Sequence, residues 1–94
     1  NYAYAVFTEC DLHKMDFRGM DLQYVNLQDC NLTKSVFCGS NLSHAVVNGA
    51  CMKQTDLRDA QIDGVDLRSA KLDQTKIDFN QAVRMAQSMG CIVE

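Results

Sequence analysis

Two histidines, five cysteines and twelve acidic side chains are the groups in this 94-residue chain that could do chemistry. Nucleophilic catalysis needs a base within hydrogen-bond reach of a hydroxyl or thiol. A zinc site needs Cys and His at short, fixed spacing. Cys10, Cys30, Cys38, Cys51 and Cys91 form no C-x-x-C pair, and neither His13 nor His44 stands at ligand spacing from any of them. Asp59, Asp63 and Asp66 are close enough in sequence to suggest calcium, but Arg58 and Arg68 flank them. There is no glycine loop for a phosphate and no serine elbow. The meaning of these groups depends on the elements that hold them.

Those elements follow a period of five. Counting from Phe7, every fifth residue is apolar: Leu12, Phe17, Leu22, Leu27, Leu32, Phe37, Leu42, Val47, Met52, Leu57, Ile62, Leu67, Leu72 and Ile77. Two places before each stands a small or medium residue, from Ala5 and Cys10 through to Ala70 and Thr75. The place between is Asp or Asn at 11, 16, 21, 26, 31, 41, 56 and 66. Such a period fits neither a helix nor a strand. Two inward residues per unit, one small and one large, can fill a narrow tube if the chain turns a corner each time. Successive coils would then hydrogen-bond at the strand spacing of about 4.8 Å. Stability becomes a sum of coil-to-coil contacts, and the ends need caps.

The unit resembles that of the pentapeptide-repeat family: small, Asp or Asn, Leu or Phe, polar, often Gly. The resemblance covers residues 5–79. It implies an all-β fold, a right-handed quadrilateral β-helix in which four pentapeptides make one coil and residue i stacks on residue i+20. On that stacking, Cys10 and Cys30 share one inward column with Ala50 and Ala70, and are expected to pack as small core residues. Met15 and Met20 are expected inside as well. Cys38 and Cys51 fall at outward positions on different faces, as do His13 and His44. Free thiols suit a reducing compartment. The recurrent Asp and Asn are expected to bond nearby backbone at the turns. Neither a metal site nor a cofactor site is expected, and the chain is expected not to be an enzyme.

The same stacking sorts the charges by face. Units starting at 20, 40 and 60 carry Asp21 and Asp63, and those at 5, 25, 45 and 65 carry Glu9, Asp29, Asp66 and Arg68. These two adjacent faces are acidic. The next, with units at 10, 30, 50 and 70, carries Lys14, Lys34, Lys53 and Lys71 against Asp11 and Asp73. Val6 and Val46 sit at outward places of one acidic face. They are explained by β-propensity or by a contact surface.

After Phe79 the period changes. Apolar residues at 79, 82, 83, 86 and 89 have helical spacing, with Asp78 or Asn80 as N-cap and Gly90 beyond the last turn. Cys91 to Val93 reads as a short strand. Two regions follow: a β-helix over 1–79, and a C-terminal capping α-helix with a terminal strand over 80–94 that also serves to dimerise. The helix has more apolar surface than one coil end can cover, so Val83, Met85, Ala86, Met89, Ile92 and Val93 are expected at a homodimer interface. The tail is similar to that of the quinolone-resistance pentapeptide proteins at Gln81, Gly90, Ile92 and Val93. Those proteins bind DNA gyrase and topoisomerase IV and dimerise through this end.

The resemblance implies a DNA mimic that binds a type II topoisomerase, with Glu9, Asp21, Asp29, Asp63 and Asp66 on the partner-binding faces, and with fluoroquinolone resistance as the consequence. Acidic faces suit a surface built to hold phosphates. The net charge of −3 is small, however. The alternative is a structural or scaffold module with another protein partner. Nucleic-acid binding through four lysines on an acidic chain is not expected. No apolar run approaches the length of a membrane span, and no basic-then-apolar segment opens the chain. A cytoplasmic location is expected.

Overall fold

The computed structural model describes all residues, 1–94. The chain winds into an all-β solenoid with a long axis of 39 Å. It turns every five residues, and the third residue of the four-residue turn has positive φ at positions such as Tyr4, Glu9, Lys14, Gly19 and Tyr24. A turn with that conformation at its third residue reverses direction within four residues. Parallel bridges join residues 20 apart, Val6 to Asn26, Asp16 to Val36 and Asn41 to Gln61 among them. The coils therefore hold 20 residues. Between them the Leu27 amide donates to the Val46 carbonyl at 2.8 Å, and the Asn26 amide to the Ala5 carbonyl at 2.9 Å. Only one pair of bridged segments is long enough to count as strands, β1 (Cys51–Lys53) and β2 (Lys71–Asp73), in register Cys51 to Lys71.

The eight Asp and Asn at the recurrent place all accept the backbone N–H two residues on: Asp11 from His13, Asp16 from Arg18, Asp21 from Gln23, Asn26 from Gln28, Asn31 from Thr33, Asn41 from Ser43, Asp56 from Arg58 and Asp66 from Arg68. Their role at the turns is the one read from the sequence.

The core is built from the two inward residues of each unit, stacked coil on coil. Leu32 is fully buried, with Met52 below it in the same column, and Phe17 stacks on Phe37 at 4.9 Å. Polar residues enter the core under a simple rule. The hydroxyls of Ser35, Thr55 and Thr75 donate to the carbonyls of Leu12, Leu32 and Met52, each 23 residues earlier, and the Cys30 thiol does the same to Phe7. A small donor is thereby satisfied without leaving the tube. Ser40 alone is buried with no hydrogen-bond partner.

The ends differ from the middle, which corrects two expectations. Cys10 is exposed and Met15 is 43% exposed, because no coil stacks above the first one. At the other end Leu72 is 45% exposed, as no further coil covers it. Cys38 and Cys51 are half-buried between neighbouring coils. Burial raises the Cys38 thiol above its usual pKa, while the Lys53 amide and the Thr33 hydroxyl lower that of Cys51. Thiol reactivity follows thiolate character and access. In native labelling, Cys10 and Cys91 are expected to react first, Cys51 ahead of Cys38, and Cys30 only on unfolding. Mass spectrometry of partly alkylated protein checks the order; early modification of Cys30 would contradict the facing of its column.

The helix α1 runs Phe79–Ser88. Asp78 is its N-cap: its carboxylate accepts from the Gln81 amide at 2.8 Å, and the Gln81 side chain accepts from the Asp78 amide at 2.9 Å. This is a reciprocal capping box. Met89 is the C-cap, and Gly90 follows with a φ of +94° that suits glycine. The Gly90 amide donates to Gln87 and the Cys91 amide to Ala86, which closes the last turn. The expected strand over 91–93 is not formed; those residues are irregular and exposed. A strand needs a backbone neighbour, and within one chain none lies beside them.

Candidate functional site

No group of three or more His, Cys, Asp or Glu converges as a metal site. What the solenoid offers is surface, and its charged residues fall into two kinds. Some carboxylates are neutralised locally. Arg18 and Arg58 fold back on Asp16 and Asp56 at 2.8 and 2.7 Å, and hold both carboxyls at about 2, well below the ordinary range. Arg68 meets Asp66 at 3.3 Å, and Arg84 of α1 reaches Asp63 at 3.0 Å. Asp11 is lowered by its hydrogen bonds to His13, and Asp78 by backbone amides of Asp59 and Gln81.

These depressed pKa values make a sign-definite pH prediction. A carboxyl whose folded pKa lies below its unfolded 3.8 stabilises fully above that pH and loses its contribution as pH falls through about 2. The thermal midpoint is expected to fall across this window. Asp16→Asn with Asp56→Asn keeps the backbone acceptor but removes the titration, so the variant's midpoint should fall less over the same window. Equal slopes in a melting series would refute it.

The five acidic residues expected to meet a partner are not alike. Glu9 and Asp29 stack in one corner column, exposed and without a cation in contact. The Asp29 carboxylate lies over Gly49, where a Cβ would fall 2.1 Å from it. Asp21 is half-buried and bonded to the Gln23 amide and side chain. Asp63 and Asp66 carry the arginine partners already named. The Asp63–Arg84 pair was not legible in sequence, because it depends on how α1 lies across the last coil.

The residues expected at the C-terminal interface also divide. Met85 packs against the core, and Val83 and Ala86 are half-buried. Met89, Ile92 and Val93 are exposed, Ile92 at 84%. Phe79 is 82% exposed. Leu72 in the last coil is exposed as well. Gln81 belongs to the cap instead: its side-chain NH₂ donates to Leu57 and Ala60 carbonyls in the core.

Sequence reasoning missed a third feature. Tyr4 and Tyr24 stack face to face at 5.0 Å, and His44 continues the stack at 4.9 Å. The column ends on Gly64, whose missing side chain leaves the space the imidazole occupies. A ring at every twentieth residue was the available signal.

Turns every fifth residue, bridges every twentieth and a core of two inward residues per unit are the marks of one repeat. A sequence profile of the pentapeptide repeat region matches residues 1–85. The chain belongs to the pentapeptide-repeat family. A search of curated proteins finds no match. Among solved structures, a pentapeptide repeat protein from the cyanobacterium Cyanothece is 26% identical, with a TM-score of 0.63 over 78% of this chain and 47% of its own. A trypsin-treated form of QnrB1, a plasmid-mediated fluoroquinolone resistance protein, is 18% identical, with a TM-score of 0.51 over 100% of this chain and 51% of its own. A pentapeptide repeat protein from the Arabidopsis thaliana thylakoid lumen is 18% identical, with a TM-score of 0.50 over 93% and 74%. The chain spans about half the length of the first two. No helix is long and apolar enough to cross a membrane.

Proposed function

We propose that this pentapeptide-repeat chain is a non-enzymatic rod that pairs with a second copy through its C-terminal end. On this reading the right-handed, square-sectioned double rod offers its acidic faces to the DNA-binding surface of a type II topoisomerase, DNA gyrase or topoisomerase IV, in the cytoplasm. Interference with a fluoroquinolone would follow from occupying that surface. The observation that carries the reading is the exposure of Leu72, Phe79, Met89 and Ile92 in the C-terminal part of the chain. Large apolar side chains left exposed in one part of a chain point to an interface, and two-fold pairing is the commonest way to close one. It would double a 39 Å axis into a rod long enough to lie along a DNA-binding groove. The tail resemblance at Gln81, Gly90, Ile92 and Val93 supports the same arrangement.

A second reading has its own support. Asp63 and Asp66 are already paired with Arg84 and Arg68, which weakens the negative field of their faces. That favours a scaffold module whose protein partner is recognised by more than charge.

One set of samples separates these readings. The intact chain is expected to sediment as a dimer at micromolar concentration, and chains lacking Gly90–Glu94 as monomers. Phe79→Asp with Met89→Asp should do the same; both side chains are exposed, whereas Met85 is left alone because it packs on the core. Purified gyrase should lose supercoiling activity in the presence of the dimer and much less so with the monomers. A monomeric intact chain overturns the pairing. Unchanged supercoiling with a proven dimer overturns the topoisomerase reading and leaves the scaffold.

A further inference from the structure

Of the six exposed large apolar side chains outside the C-terminal end, all but Tyr2 and Met15 gather on one face. Tyr4 and Val6 are 71% and 70% exposed, and Tyr24 and Val46 are partly exposed beside them. Bridges from Val6 to Asn26 and from Asn26 to Val46 put both valines in one outward column. The stacked rings of Tyr4, Tyr24 and His44 form the corner on one side of that column. Glu9 and Asp29 form the corner on the other side. The face thus has an aromatic wall, an apolar middle and an acidic wall.

We propose that this face docks one basic amphipathic helix of a protein partner, laid along the solenoid axis. The spacing selects a helix. Two coil steps of about 4.8 Å separate the valines by roughly 10 Å, and residues i and i+7 of a helix are about 10.5 Å apart. Two apolar side chains of one helix stripe therefore meet Val6 and Val46 together. Asn26, between them, is half-buried and occupied with the Gln28 amide. The charge selects the sign. Glu9 and Asp29 have no cation in contact, and the space over Gly49 lets Asp29 extend the acidic wall by a further coil. Lysine or arginine on the flank of the helix completes them, while a phosphate backbone would be repelled. The rings supply area at low entropic cost, because tyrosines already held in a stack lose little freedom on binding. This deepens the reading of the chain as a protein-binding rod and is independent of which protein is bound.

The probe is a synthetic helical peptide with leucines at i and i+7 and lysines at i+3 and i+4, beside a scrambled peptide of the same composition. Amide shifts of the isotope-labelled chain are expected to move and saturate at 4–9, 24–29 and 44–49. The scrambled peptide should not saturate. Val46→Lys should weaken binding about tenfold, as loss of a contact at the centre of an interface does. Gln74→Lys makes the same charge change on a different face and should leave affinity unaltered. Its backbone position is one that lysine already fills at Lys14 and Lys34, so folding is not at issue. Shifts on another face, equal binding of the scrambled peptide, equal losses from the two lysine variants, or no binding at all would each overturn the proposal. Because the probe is synthetic, a gyrase that ignores the chain leaves this result standing. A failed peptide likewise leaves the supercoiling test intact.

Discussion

Truncation of Phe37 to alanine is expected to destabilise the chain by about 3–5 kcal/mol, the range for a buried phenylalanine. Phe37 is fully buried at the waist of the tube and stacks on Phe17 with rings 12° from parallel. The tube is only one side chain wide from each wall, so no second layer can collapse into the space left behind. A domain of this size has a total stability of about 5–15 kcal/mol, so the variant should sit near its unfolding midpoint or beyond it at modest urea. Position along the axis provides the control. Phe7 holds the equivalent central place in the first coil but is only half-buried. Phe7→Ala should therefore cost clearly less. Equilibrium urea curves for the two variants decide the matter. Equal losses would mean that the first coil is covered in solution as fully as the second, and the burial gradient along the solenoid would be wrong.

That gradient also shows where the sequence was legible. A period of five is a property of each unit by itself, so the columns of Leu32, Phe37 and Val25, and the turn role of Asp16 or Asn31, can be read without knowing the rest of the chain. Cys10 and Met15 could not be placed in the same way. They satisfy the repeat as well as Cys30 and Ser35 do, but burial needs a neighbour on both sides, and the repeat does not say which coil is last. Asp56 and Arg58 are only two residues apart within one turn, so their pair needs nothing beyond the unit itself. Asp63 with Arg84 was not legible, because 21 residues and a change from solenoid to helix separate them. The aromatic corner was hidden for a different reason. Tyr4, Tyr24 and His44 occupy turn places that the repeat leaves free, so their meaning appears only after the coils are stacked.

Gln81→Leu is expected to detach the cap at a cost of about 2–4 kcal/mol, combining a lost helix cap with buried groups left unpaired. The physical case rests on what a last coil lacks. At four places in the solenoid the carbonyl of a central residue receives a hydroxyl or thiol from 23 residues later, as Leu32 does from Thr55. Leu57 has no such residue ahead of it, since Asn80 already belongs to α1. Gln81, one place further on, reaches back instead and donates to Leu57 and to Ala60 at once. Its oxygen meanwhile accepts the Asp78 amide that starts the helix. One buried side chain thus ends the tube and begins the cap. Leucine fills the volume but leaves the Ala60 carbonyl and the Asp78 amide without partners. Glutamate keeps the acceptor and places a charge against two carbonyls, so Gln81→Glu should be no milder. Hydrogen exchange is the discriminating measurement. Amides of 82–88 should lose protection in both variants, while those bridging the middle coils, such as Leu27 and Leu32, keep theirs. A Gln81→Leu chain that melts like the parent, with the helix amides still protected, would show that Met85 and its neighbours hold the cap by apolar packing alone.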